Sequence, residues 1–130
     1  MAAVELSVKE ARRALVGSED RVSIAVSNSP TSTVLSGDPA ALAAILDQLQ
    51  SRDIFCRMVK VDFASHSPQM EPLRADLLQA LEGIQPQAES VPIYSTVTGQ
   101  ASNGLGFDPP YWARNMRQPV LFSTAVQHLV

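Results

Sequence analysis

The chain is poor in the residues that mark several common protein classes. Its single cysteine, Cys56, excludes an internal disulfide, and its apolar surroundings favour a small core residue over a nucleophile. Lys and Arg number 10 against 13 Asp and Glu, so neither nucleic acid nor a membrane surface is a predicted partner. No apolar run approaches the ~20 residues of a membrane span, and no signal peptide is recognised. These features favour a reducing, cytoplasmic setting, and we predict no metal site.

Short apolar strands alternate with amphipathic helices in the first half of the 130-residue chain. The patterns predict strands at 1–6, 22–26, 33–36 and 54–61, a helix from the capping box Ser7–Glu10 to Gly17, and a helix from Pro39 to about Ser51. A β-α-β-β-α-β order is that of ferredoxin-like folds, in which two helices cover one face of a small antiparallel sheet. The predicted class is therefore α+β.

The second half has weaker patterns. Apolar residues three or four apart predict a helix after residue 67 that packs one face on a core: Met70, Leu73, Leu77, Leu81 and Ile84. A short strand at 91–97, of the parallel type that needs cover on both faces, a loop at 99–110 and a helix from Phe122 are expected to follow.

His66 lies where the strand at 54–61 passes into this helix. Ser67 stands at the predicted N-cap and Pro68 at the first helical position. A histidine at such a turn suits general acid–base catalysis, because the ordinary pKa of histidine is close to neutrality. From position alone, a capping or surface role is the more common one.

Three stretches resemble the acyltransferase domains of modular polyketide synthases. Residues 63–67, Phe-Ala-Ser-His-Ser, resemble the Tyr-Ala-Ser-His-Ser segment of that family. Residues 28–30, Asn-Ser-Pro, with Ser-Gly-Asp at 36–38, are similar to its Asn-Gly-Pro and Ser-Gly-Asp, although Ser29 replaces the usual Gly. Residues 111–122 match its Tyr-Trp-x-x-Asn-x-Arg-x-Pro-Val-x-Phe pattern at every fixed position.

The resemblance implies roles for particular residues. His66 is then the catalytic base, and the backbone carbonyl of Asn115 holds its imidazole ring. Asn28 is implied to lie near the substrate cleft, although Asn before Ser-Pro is also ordinary turn chemistry. Phe63, Ala64 and Ser65 would line the substrate pocket.

Residue 65 also bears on the substrate. Malonyl-specific members carry His-Ala-Phe-His, whereas the small Ser65 leaves room for an α-methyl group. Phe63, where Tyr is usual, lacks a hydroxyl. We therefore expect methylmalonyl over malonyl, a bias worth about 1–3 kcal/mol per methyl group.

The serine nucleophile of the family, in a Gly-His-Ser-x-Gly elbow, is missing from this sequence. The resemblance therefore covers the C-terminal portion of the domain: residues 1–62 as the ferredoxin-like small subdomain and 63–130 as part of an α/β hydrolase-like lobe. An upstream serine would take the acyl group from acyl-CoA and pass it to the phosphopantetheine thiol of an acyl carrier protein within the synthase. The chain itself is expected to bind no cofactor and to be inactive alone.

Two alternatives stay open. One is a malonyl-CoA transacylase of fatty acid synthesis, which would share the histidine. The other is a non-catalytic ferredoxin-like interaction module, which an Asn115 carbonyl beyond hydrogen-bond reach of the His66 ring would favour.

Overall fold

Six strands in two antiparallel sheets and five α-helices form the structure, a computed structural model that describes all 130 residues. The strands are β1 Ala2–Val4, β2 Val22–Ser29, β3 Ser32–Gly37, β4 Cys56–Met58, β5 Ile93–Ser95 and β6 Gln100–Ser102. The α-helices are α1 Val8–Ala14, α2 Pro39–Gln50, α3 Arg74–Ala80, α4 Pro109–Arg117 and α5 Phe122–Leu129, and a 3₁₀ helix spans Pro68–Leu73.

The larger sheet has the strand order β2-β3-β1-β4, with every neighbouring pair antiparallel. This arrangement follows from two crossover helices, α1 and α2, that each return the chain past a central strand. Together the sheet and these helices bury a cluster of 12 apolar residues between Ala2 and Leu49. The predicted α+β class and its ferredoxin-like element order are confirmed.

Local capping signals fixed both helix starts. The Glu10 N–H donates to the Ser7 hydroxyl (3.3 Å), and the Ser7 N–H donates to the Glu10 carboxylate (2.9 Å), as the capping box predicts. Asp38 caps α2 by accepting from the Ala41 N–H at 2.8 Å. Gly17 has a φ of 86°, the left-handed geometry expected after the end of α1.

All four strands of the larger sheet differ from their predicted bounds. β1 is shorter than 1–6, and β3 is longer than 33–36. β4 covers Cys56–Met58 rather than 54–61, because its partner β1 offers three residues for pairing. β2 continues to Ser29, so the expected turn at Asn28-Ser29-Pro30 is wrong, and the hairpin instead turns at residues 30–31.

The helix after His66 is divided. Residues 68–73 are 3₁₀ and contain Pro72, which has no N–H to donate, and α3 begins only at Arg74. Met70 is buried, but Leu73 and Ile84 are exposed. The prediction that this helix packs one face on a core is therefore wrong for most of its length. An open groove instead lies between this segment and α4. Its lining on the side of this segment consists of Leu77, Leu81 and Ile84.

The remaining elements also depart from the pattern. β5 pairs antiparallel with β6, so the expected parallel strand at 91–97 and the uninterrupted loop at 99–110 are both wrong. α4 was not predicted; it begins at an Asp108 cap, which accepts from the Tyr111 N–H at 2.9 Å. α5 starts at Phe122 as expected. None of the helices has the length and apolarity that crossing a membrane requires.

Candidate active site

His66 lies on a turn that three separate hydrogen bonds hold. Its N–H donates to the Met116 carbonyl (3.1 Å), and its own carbonyl accepts from the Ser23 hydroxyl (2.7 Å). Its ring Nδ1 lies 2.8 Å from the Gln118 carbonyl oxygen. The residue has a φ of 59°, in the left-handed region that side chains with a Cβ disfavour. A residue in this conformation persists where its surroundings impose it.

The Gln118 contact defines the tautomer of the ring. A carbonyl oxygen can only accept, so Nδ1 carries the hydrogen and Nε2 presents a free lone pair. A half-buried imidazole in this form can take a proton from a hydroxyl or thiol placed beside Nε2. The geometry is that of a general base oriented by a backbone acceptor.

The acceptor is not the residue that the sequence indicated. We expected the Asn115 carbonyl, but Asn115 lies inside α4, whose carbonyls are directed along the helix axis. Gln118 is the C-cap of α4 with extended geometry (φ −87°, ψ 161°), which frees its carbonyl to face the ring. The expected hydrogen bond between the Asn115 carbonyl and the His66 ring is therefore absent, which was the observation expected to favour a non-catalytic module. The Gln118 carbonyl, however, supplies an equivalent acceptor for the ring.

Backbone hydrogen bonds clamp the segment that carries Gln118. The Val120 N–H donates to the Ala25 carbonyl (2.8 Å), and the Val120 carbonyl accepts from the Ser27 N–H (2.9 Å). The Leu121 N–H donates to the Thr96 carbonyl at 2.7 Å. The acceptor of the imidazole is therefore fixed to both β2 and the β5 region.

The predicted pocket residues take different positions. Ala64 and Ser65 are half-buried beside His66, and the Ala64 carbonyl accepts from the Ser67 hydroxyl at 2.6 Å. Phe63 is 63% exposed. Asn28 is exposed near the end of β2, five residues and roughly 16 Å of extended strand from Ser23. The structure thus groups Ala64 and Ser65 with His66 and leaves Asn28 and Asn115 outside that group.

Two residues at the site were missed from sequence, Ser23 and Gln118. Strand alternation could have indicated Ser23, because Val22 and Ile24 face the core and Ser23 therefore faces the opposite side. Nothing in the side-chain pattern could have indicated Gln118, because it acts through its backbone.

A cavity of about 290 Å³ lies beside the turn at the edge of β2, between α1 and residues 117–121. Ser23 and Arg117 line it, but His66 does not. No group of three or more His, Cys, Asp or Glu side chains lies together as a metal site would require.

His128 provides an internal comparison. Its Nδ1 lies 2.6 Å from the Gly99 carbonyl, so it shares the ring-to-carbonyl contact of His66. It differs because it is exposed and lies within α5, where its backbone is part of a regular helix. The strained, clamped backbone distinguishes His66.

Comparison with known proteins identifies the family of the chain. The family model described as "Acyl transferase domain" matches residues 1–130. Mycoketide-CoA synthase of Mycobacterium tuberculosis is 40% identical over 128 residues, 98% of this chain and 3% of that protein. Erythronolide synthase EryA2 of Saccharopolyspora erythraea is 41% identical over 129 residues, 99% of this chain and 4% of that protein.

Solved structures give the same result. The acyltransferase domain from module 8 of the salinomycin polyketide synthase superposes with a TM-score of 0.96 at 40% identity, covering 98% of this chain and 30% of that one. A loading acyltransferase from the avermectin modular polyketide synthase gives a TM-score of 0.92 at 32% identity, covering 98% and 42%. The chain thus spans less than half of the solved domains that it matches.

Proposed function

We propose that this chain, which belongs to the acyltransferase domains of modular polyketide synthases, supplies the general base of acyl transfer, His66. The observation that carries the proposal is the 2.8 Å contact from His66 Nδ1 to the Gln118 carbonyl, which leaves Nε2 free to accept a proton. The nucleophile would be a serine outside these 130 residues, because the sequence contains no Gly-x-Ser-x-Gly elbow.

Nε2 would take up and return a proton in each of the two halves of the reaction. In the first half, His66 takes the serine proton, the serine oxygen attacks the thioester carbon of acyl-CoA, and the imidazolium protonates the departing CoA sulfur. In the second half, His66 takes the proton of a phosphopantetheine thiol on an acyl carrier protein. The sulfur then attacks the acyl-serine ester, and the imidazolium returns a proton to the serine oxygen.

We also propose that the chain consists of two structural parts. Residues 1–62 would be the small ferredoxin-like subdomain, and residues 63–130 part of the larger lobe. The four-stranded sheet, which ends at Met58, and the separate β5–β6 sheet support this division. Asn28, Phe63, Ala64 and Ser65 remain the proposed substrate contacts.

The substrate would be a malonyl-type CoA ester, with methylmalonyl preferred over malonyl. The support is Ser65 itself, which has a small side chain and is half-buried next to His66. Because one methyl group in a pocket is worth about 1–3 kcal/mol, we expect kcat/KM for methylmalonyl-CoA to exceed that for malonyl-CoA by roughly 10- to 200-fold. Direct competition of the two esters for the intact domain tests this, and a clear malonyl preference would overturn it.

The decisive experiment compares the two histidines in the intact acyltransferase domain that contains this chain. His66→Ala should lower the rate of acyl-serine formation from radiolabelled acyl-CoA by about 10²- to 10⁴-fold, the usual contribution of a general base. His128→Ala removes a ring with the same kind of carbonyl contact and should leave the rate within about threefold.

The 130-residue chain alone should acquire no label under the same conditions. A His66→Ala domain that keeps more than a tenth of the rate would remove His66 from the mechanism. Labelling of the isolated chain would show that a serine within it is the nucleophile.

A further inference from the structure

We infer that Ser23 is a positioning residue for His66: its hydroxyl locks the peptide group after His66 and so directs the imidazole toward Gln118. The inference rests on the proposed role of His66 as the base. It concerns a different residue, on a different element, that the sequence motifs of the site do not include.

The first observation is the pattern of bonds around the residue. The N–H of His66 is held by Met116 at 3.1 Å, and its carbonyl is held by Ser23 at 2.7 Å. With the peptide groups on both sides fixed, both backbone torsions of the residue are fixed as well. The direction of its Cβ, and hence the reach of the ring, follows from these torsions.

The second observation is that this conformation needs support. At a φ of 59°, a residue with a Cβ is less stable than in the extended or right-handed helical regions, so the turn would relax if a restraint were removed. The Ser23 bond is the only one of the three that a side chain from the sheet supplies. Removing its hydroxyl would let the peptide after His66 rotate and would move the ring away from Gln118.

The third observation is that β2 presents Ser23 on a rigid support. Val22 is fully buried in the core, and alternation turns Ser23 to the opposite face of the sheet, where the His66 turn lies. Ser36 is the residue directly opposite Ser23 in β3 and shares its face. The Ser36 hydroxyl is buried with no hydrogen-bond partner, so it contributes no bond to the turn.

This pair of serines provides a matched test in the intact acyltransferase domain. Ser23→Ala should lower kcat of acyl-serine formation by about tenfold, the effect of losing one hydrogen bond to a catalytic orientation, while KM stays within about twofold. Ser23→Thr keeps the hydroxyl and should restore kcat to within about threefold. Ser36→Ala removes a buried hydroxyl of the same sheet without a partner and should leave kcat unchanged.

A spectroscopic readout separates positioning from folding. The His66 Nδ1–H proton, bonded to a carbonyl, should give a downfield, slowly exchanging NMR resonance in the parent domain and in Ser23→Thr. The resonance should be lost or broadened in Ser23→Ala, while the backbone amide spectrum elsewhere is retained.

The outcomes distinguish the two proposals. An unchanged kcat and resonance in Ser23→Ala would overturn the positioning role, as would an equal loss in Ser36→Ala, which would indicate general damage to the sheet. If His66→Ala proves harmless while the resonance still depends on Ser23, the catalytic proposal fails and the positioning of the ring stands.

Discussion

At the scale of single residues, the Ser36-Gly37-Asp38 motif has a structural explanation that needs no substrate. Asp38 caps α2, and Gly37 lies at the end of β3 directly opposite Val22. A Cβ at Gly37 would overlap the carbonyl oxygen of Arg21 and lie 2.7 Å from the Val22 Cα. The motif therefore joins two elements at a point where backbones touch.

Replacing Gly37 by Ala should destabilise the chain by about 2–3 kcal/mol, because the added methyl group meets backbone that cannot move aside cheaply. Gly106→Ala is the control, since a Cβ there meets nothing within 4 Å and should change stability by less than about 0.5 kcal/mol. Urea denaturation followed by circular dichroism measures both. Equal stability of the two variants would contradict the contact at Gly37.

At the scale of elements, the capping box of α1 couples folding to pH. The Ser7 hydroxyl and N–H both bond the Glu10 carboxylate, and chiefly the hydroxyl bond lowers the pKa of Glu10 below its usual value of 4.5. A carboxyl whose pKa is lower in the folded state stabilises the fold above its unfolded pKa. That stabilisation is lost as pH falls through the folded pKa.

We therefore expect the unfolding free energy to decline as pH falls from about 5 through the lowered pKa of Glu10, because its bonded carboxylate becomes protonated. Glu10→Gln has no carboxylate and should show the shallowest decline. Ser7→Ala loses the hydroxyl bond but keeps the backbone N–H bond to Glu10, so its decline should lie between those of Glu10→Gln and the parent chain. Urea titrations at several pH values across this window provide the measurement. Parallel curves for all three proteins would mean that the capping box carries no acid sensitivity.

The elements also show what a sequence can predict. Ser7–Glu10 and Asp38-Pro39 are local signals, and both helices start where they indicate. β4 ends early because β1 is short, and the strand at 93–95 pairs with β6 because that hairpin partner is adjacent. The length of β4 and the pairing of β5 depend on which strands lie next to them in space, and a local sequence pattern does not predict these neighbours.

The same distinction applies to the candidate site. The position of His66 on a turn follows from a recognisable motif, whereas its left-handed backbone and its Gln118 acceptor were not predicted, and the acceptor depends on where α4 ends. α4 itself was overlooked, although Asp108 before Pro109-Pro110 is a strong helix start. A correct end for this helix would have placed Gln118 directly after it, where its carbonyl lies outside the helical hydrogen-bond pattern.

At the scale of the whole molecule, stability is unevenly distributed. The cluster of 12 buried apolar residues lies entirely between Ala2 and Leu49. Beyond residue 100, several large apolar side chains are exposed, among them Leu105, Phe122 and Leu129. Few buried contacts support the second half.

Hydrogen exchange of the 130-residue chain should therefore be biphasic along the sequence. Amides of β1 to β3 should exchange at least roughly tenfold more slowly than those of β5, β6 and α5, because the latter can open without disrupting the main core. Mass spectrometry after pepsin digestion resolves these regions. Uniform protection across the chain would show that both halves unfold together.

The backbone hydrogen bonds of Val120 to β2 have a consequence for chimeric proteins that combine sequence segments from different synthases. Its two bonds to β2 join only backbone atoms, Val120 N to Ala25 O and Ser27 N to Val120 O, so neither bond depends on a side-chain hydrogen-bonding group. A chimera that combines residues 1–62 of one parent with residues 63–130 of another would keep the two hydrogen bonds between Val120 and β2. Two other bonds between the parts do use side chains, Ser23 Oγ to His66 O and Gln69 Nε2 to Arg21 O, so recombination that replaces either side chain would remove a bond between the two parts.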